Sequence, residues 1–106
     1  MTGKVALVGA GPGDPGLMTI RGRELLSQCD VVIYDALISD CILNVTPKSA
    51  RRIYVGKRAG QQAKPQQEIN DLLIQEAIAG HFVIRLKGGD PFLFGQVQRF
   101  FAAKIG

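Results

Sequence analysis

Four short segments of this sequence hold residue types able to do chemistry, and each follows an apolar run. Gly9-Ala10-Gly11-Pro12-Gly13-Asp14-Pro15-Gly16 follows Val5-Ala6-Leu7-Val8, and Asp35 follows Val31-Val32-Ile33-Tyr34. Gly56-Lys57-Arg58-Ala59-Gly60 follows Arg52-Ile53-Tyr54-Val55, and Lys87-Gly88-Gly89-Asp90-Pro91-Phe92 follows Phe82-Val83-Ile84-Arg85-Leu86. Paired glycines let a ligand approach bare backbone. Asp35 and Lys57 set a carboxylate and an ammonium at two of these strand ends. Asp90 can accept hydrogen bonds from hydroxyl or ammonium groups, and Phe92-Leu93-Phe94 adds apolar surface suited to a flat ring. Turn chemistry alone also accounts for Gly-Gly-Asp-Pro, and a strand-end cap for Asp35.

The first segment invites comparison with a dinucleotide fingerprint, since Gly9-x-Gly11 follows a strand and Asp30 stands about 20 positions on. The third glycine position holds Asp14, however, and Pro12 and Pro15 remove two N–H donors that a pyrophosphate cradle needs. No Gly-Lys-Ser/Thr follows, which excludes a nucleoside-triphosphate loop. A rigid turn with Asp14 capping the next helix is the alternative reading.

The elements that must position these segments can be read from hydropathy. The four apolar runs are rich in β-branched and aromatic residues, as strands are. The first, second and fourth are continuous and not alternating, which predicts strands covered on both faces. Met18, Leu25, Leu26 and Cys29 share a face, predicting a helix over 18–29. Pro65 opens another helix, Ile69, Leu72, Leu73 and Ala77 form its buried stripe, and Gly80 stops it. A shorter helix is expected over 40–45, ended by Pro47. Strand and helix in alternation predict an α/β fold, a mainly parallel sheet with flanking helices. Ligands then collect outside the carboxyl ends of the strands, where all four segments fall. After Gly95 the pattern decays, and no completed element is expected in 96–106.

Composition narrows the classes. The chain has 106 residues, 46% apolar and 21% charged, which excludes intrinsic disorder and allows one modest core. No run reaches a membrane span of about 18–20 apolar residues, and Met1-Thr2-Gly3-Lys4 lacks a signal-peptide pattern. Cys29 and Cys41 are too few for a disulfide framework, which makes a reducing, cytoplasmic setting the expectation. The net charge of +4 comes from scattered basic residues without interleaved aromatics, so nucleic acid is not an expected partner. Cys29 is expected in the core, Cys41 has no metal-ligand spacing, and His81 reads as a surface histidine without a partner. No metal site is expected.

Taken together, five segments in order resemble one family. They are Gly9-Ala10-Gly11-Pro12-Gly13-Asp14-Pro15, Tyr34-Asp35-Ala36-Leu37, Val55-Gly56-Lys57-Arg58-Ala59-Gly60, Pro65-Gln66-Gln67-Glu68-Ile69-Asn70 and Arg85-Leu86-Lys87-Gly88-Gly89-Asp90-Pro91-Phe92-Leu93-Phe94-Gly95. The family is the uroporphyrinogen-III C-methyltransferases, within the tetrapyrrole methylases. The resemblance implies S-adenosylmethionine as methyl donor and uroporphyrinogen III as acceptor, giving precorrin-2 for siroheme and cobalamin synthesis. Carried over by position, it implies that Pro12, Gly88, Gly89, Asp90 and Leu93 contact the methyl donor. It implies a proton acceptor at Asp35 and a proton donor at Lys57. An ammonium beside a substrate with eight carboxylates also suits carboxylate binding, the role preferred here for Lys57. Arg21, Arg58 and Lys87 are weaker candidates for the same task.

Two positions depart from the family pattern. Gln62 stands where a histidine is usual, and Gln96-Val97-Gln98-Arg99-Phe100 replaces Arg-Gly-Gly-Glu-Glu. The resemblance implies the N-terminal half of a two-domain fold, with 1–95 forming that domain and 96–106 an atypical truncated tail. The family's C-terminal domain, which closes the cleft, and its homodimer lie outside these residues. The other functional class to weigh is a non-catalytic module that binds a tetrapyrrole or a nucleotide and needs a partner domain.

Overall fold

The computed structural model describes residues 3–11, 13–57, 60, 62–88 and 97–101. Strand β1 (Lys4–Gly9) leads through a 3-10 turn (Pro15–Leu17) into α1 (Ile20–Leu26) and β2 (Val31–Tyr34). A short α2 (Asp40–Leu43), β3 (Arg51–Tyr54), α3 (Gln66–Ile78), β4 (Phe82–Lys87) and β5 (Val97–Phe101) follow. The sheet order is β3-β2-β4-β1-β5. The first four strands of that order run parallel, and β5 lies antiparallel on β1.

The reversal of chain direction after β3 sets the layers. Crossovers are right-handed, so stepping outward from β1 to β3 and then back to β4 sends helices to opposite faces. On one face Leu25 and Leu26 of α1 and Ile42 and Leu43 of α2 pack with Ala6, Val8, Val32, Ile84 and Leu86. On the other, Ile69, Leu73 and Ala77 of α3 pack with Val5, Val31, Ile33, Val55 and Val83. Residues of β1, β2 and β4 alternate between the two cores, which is why their sequences read as continuous apolar runs. The third run was not continuous, and β3 is an edge strand, with Arg51 and Arg52 exposed.

Helix boundaries follow local capping. Thr19 accepts the N–H of Gly22 at 3.0 Å and starts α1, so the helix is shorter than the apolar spacing over 18–29 predicts. Met18 and Cys29 still contribute to the core, from outside the helix. The segment after Gly95 differs from expectation, since β5 completes an element there. The free edge of β1 supplies backbone partners for it, a tertiary effect that side-chain periodicity does not encode.

Candidate active site at the carboxyl edge of the sheet

Neighbouring strands β2 and β3 send their connections to opposite faces, which makes their carboxyl ends a topological switch point. Asp35 is the first residue beyond β2, and Lys57 lies just beyond β3. Backbone pairing continues past both strands, with Val55 N–H donating to Tyr34 C=O at 2.9 Å. On the far side of β2, Ala10 N–H donates to Lys87 C=O at 2.8 Å and brings the glycine-rich loop beside the end of β4. The sheet therefore carries Gly11, Asp35, Lys57 and Gly88 on one edge.

Asp35 Oδ1 accepts the N–H of Leu37 at 3.0 Å, an Asx turn that fixes its carboxylate, while Oδ2 stands 3.8 Å from Nη2 of Arg85. Arg85 is only 5% exposed although it sits in the middle of β4. Its Nη1 donates to the carbonyls of Leu86 at 2.9 Å and Ile33 at 3.3 Å. Burial lowers the Arg85 pKa below its ordinary value, and the Asp35 charge partly opposes that. Strand register explains the meeting: Arg85 pairs with Ile33, so Asp35 is the next same-face residue along β2. Sequence reasoning missed Arg85 as a site residue. The signal was a lone cation inside an otherwise apolar strand, Phe82-Val83-Ile84-Arg85-Leu86.

Lys57 has an exposed side chain. Its carbonyl accepts the Tyr54 hydroxyl at 2.9 Å, and the Tyr54 ring meets Tyr34 edge-on with centroids 5.5 Å apart. A groove of about 470 Å³ opens beside this loop, lined by Tyr54, Gly56, Gln62, Lys64 and Glu68 among others. Gln62, the residue that departs from the family pattern, therefore faces the same groove.

The turn after β2 is the contact point for its neighbours. A Cβ at Gly88 would stand 2.8 Å from the Leu37 carbonyl oxygen and 2.9 Å from Ile38 Cδ1. A Cβ at Gly56 would stand 2.9 Å from the Ala36 nitrogen and 2.6 Å from the Tyr54 hydroxyl. Both approaches require glycine. Asp14 accepts the N–H of Gly16 at 2.9 Å and caps the 3-10 turn, as its position predicted.

Other candidates fall elsewhere. Arg21 lies on α1 with a half-exposed side chain, 3.7 Å from Glu24. Asp30 is at the opposite, amino-terminal edge, where Oδ2 accepts the Phe82 N–H at 2.7 Å. That location removes the acidic residue a dinucleotide ribose would need. His81 is not unpartnered: its Nδ1 lies 3.2 Å from Oε1 of Glu76, which also pairs with Arg51. Glu76 lies in the last turn of α3, only five residues before His81, and the end of the helix brings the two side chains together. Cys29 is buried in the core and Cys41 is exposed. Pro12, Arg58, Gly89, Asp90 and Leu93 lie outside the described residues.

An α/β sheet with glycine-rich and charged loops on its carboxyl edge defines a small-molecule cleft protein. The chain belongs to the tetrapyrrole (corrin/porphyrin) methylases, whose family profile matches residues 4–105. It is 56% identical over 94 residues to siroheme synthase 2 of Cronobacter sakazakii and 57% identical to siroheme synthase of Escherichia coli O81. Each match covers 89% of this chain and 21% of the relative, so the chain spans about a fifth of their length. Among solved structures, uroporphyrin-III C-methyl transferase of Thermus thermophilus with S-adenyl homocysteine matches with a TM-score of 0.65 and 45% identity. That match covers 88% of this chain and 36% of the other. A cobalt precorrin-4 methyltransferase matches with a TM-score of 0.67 and 33% identity, over 82% of this chain and 34% of the other.

Proposed function

We propose that this chain forms one wall of the cleft of an S-adenosylmethionine-dependent methyltransferase that converts uroporphyrinogen III to precorrin-2, for siroheme or cobalamin synthesis. The observation that carries the reading is the convergence of Asp35, Lys57, Gly88 and the glycine-rich loop on one edge of the sheet, in a chain of this family. Residues 1–95 act as the N-terminal domain, and sequence outside the 106 residues supplies the other wall. The family resemblance also carries a cytoplasmic homodimer.

The loop chemistry suits the methyl donor. Gly11 takes φ 66°, and Gly88 lets the turn at Leu37 and Ile38 close onto the end of β4. The glycine-rich loop and this turn therefore border the same stretch of the edge. In this reading Pro12, Gly88, Gly89, Asp90 and Leu93 hold the donor. Bound S-adenosylmethionine supplies an electrophilic methyl group. The protein's part is to align the acceptor carbon and exclude water. Methylation leaves a cationic macrocycle that must lose a proton, and Asp35, oriented by Leu37 N–H, is placed to accept it or balance the charge. Lys57, exposed and next in sequence to the groove-lining Gly56, binds a substrate carboxylate in this reading.

The test is a graft. The 94 matched residues of the Escherichia coli O81 siroheme synthase are replaced by those of this chain, and precorrin-2 formation is followed by absorbance. The graft is expected to methylate, and Asp35→Asn within it is expected to lower turnover at least about 100-fold, in line with loss of a general base. Affinity for S-adenosylhomocysteine should stay near that of the parent graft. A folded graft without methyltransferase activity overturns the reading.

A further inference from the structure

Ser39 sits between the two halves of the carboxyl edge. Its Oγ donates to the Gly13 carbonyl at 2.7 Å, a tie across 26 residues, and accepts the Ile42 N–H at 3.3 Å as the N-cap of α2. A serine hydroxyl has one proton and two lone pairs, so the proton goes to the loop and a lone pair to the helix. Ala10 N–H anchors the start of the loop on Lys87 C=O. Among the described residues the remaining ties of 13–18 are local: Gly16 and Leu17 bond back to Asp14, and Met18 to Pro15. Gly13 itself adopts φ 105°, a conformation in which a loop has little steric reason to hold one path. Four residues before Ser39, in the same turn, Asp35 faces Arg85; two before it, the Leu37 carbonyl backs Gly88.

We propose that Ser39 is a positioning residue: it fixes the glycine-rich loop to the turn that carries Asp35, so that the donor wall and the proton acceptor share one reference point. The proposal rests on reading the 9–16 loop as part of the methyl-donor site. Ser39 touches neither donor nor acceptor. It acts through Gly13, and its capping of α2 is a separate task performed by the other side of the same oxygen.

The two tasks separate by substitution in the 106-residue chain. Ser39→Asp and Ser39→Gly both remain acceptable N-caps, and neither has a proton for the Gly13 carbonyl. Ser39→Thr keeps the proton and the cap. Amide hydrogen exchange is read at Asp14, Gly16 and Leu17 and, as the control, at Leu43 and Asn44, whose N–H groups bond to the backbone carbonyls of Ser39 and Asp40. Titration with S-adenosylhomocysteine and with uroporphyrin III is run in parallel. In Ser39→Asp and Ser39→Gly, loop exchange should quicken about 10-fold and S-adenosylhomocysteine affinity fall about 10-fold, the scale of one lost hydrogen bond, with α2 exchange unchanged. Ser39→Thr should restore both within about 2-fold, a residual well below one hydrogen bond. Unchanged loop exchange in both donorless variants overturns the proposal, as does equal loosening of loop and α2. If loop exchange responds as described while S-adenosylhomocysteine affinity of the Escherichia coli O81 graft, which carries both walls, stays the same in every Ser39 variant, the positioning role stands and the donor-site reading fails.

Discussion

The guanidinium of Arg85 stands 3.8 Å from Oδ2 of Asp35, while its other terminal nitrogen is held by the carbonyls of Ile33 and Leu86. A buried cation thus faces the carboxylate at the switch point and is itself locked to the backbone of two strands. The pair should behave as a unit. Arg85→Met and Asp35→Asn are each expected to destabilise the domain by about 1–3 kcal/mol in urea unfolding, the first by orphaning acceptors, the second by leaving a buried charge. The double variant should be more stable than the sum predicts by at least about 0.5 kcal/mol. Simple additivity would mean the two charges do not interact.

Tyr54→Phe tests the support of the Lys57 loop. The substitution removes the hydroxyl that binds the Lys57 carbonyl but keeps the ring beside Tyr34. Stability should fall by only about 0.5–1.5 kcal/mol. Fluorescence titration should show weaker uroporphyrin binding, with S-adenosylhomocysteine affinity unchanged. Equal loss for both ligands would place Tyr54 outside the acceptor side.

Gly88→Ala should be more damaging than its size implies. The added methyl meets the Leu37 carbonyl oxygen at 2.8 Å, and backbone cannot move aside as a flexible side chain would. A loss of about 1–3 kcal/mol is expected, as for overpacking in a core. Thermal unfolding checks it, and a midpoint equal to that of the unsubstituted chain would refute the contact.

Alkaline pH should unfold the domain through Cys29. Burial pushes its thiol up from 9.0 to about 11. Below pH 9.0 both folded and unfolded chains keep the proton; above it the unfolded chain releases its proton first, so stability falls until the folded thiol titrates near 11. The contribution is about 3 kcal/mol over that window. Urea titrations across the window should show a flatter pH dependence in Cys29→Ala than in the parent. Parallel slopes would remove Cys29 as the cause.

The parallel sheet is legible because a strand buried on both faces has no polar side to show, and Val31-Val32-Ile33 shows none. The glycine-rich loop, Asp35 and the Lys57 segment are legible because each interrupts such a run at its carboxyl end. Arg85 is less so: its charge is disguised by apolar neighbours, and only strand register reveals that Asp35 lies one step along the same face. Ser39 depends on a contact spanning 26 residues, which no local pattern encodes. The Arg51–Glu76 pair is likewise a product of packing between α3 and the sheet, whereas His81 meets the same carboxylate from five residues along the chain. β5 is invisible to hydropathy because the edge of β1 creates it.

The two cores underlie different parts of the edge. Ala10, Met18, Ile38 and Ile42 belong to the face covered by α1 and α2, and they seat the glycine-rich loop and the Ser39 turn. Arg85 and Asp35 continue the face of Val83 and Ile33, which α3 covers. Repacking under α3 would therefore reach the Arg85–Asp35 ion pair first, and repacking under α1 the loop proposed for the methyl donor. Under the proposed function the two faces give selection separate handles, one on the proposed proton acceptor and one on the proposed donor loop, joined at Ser39.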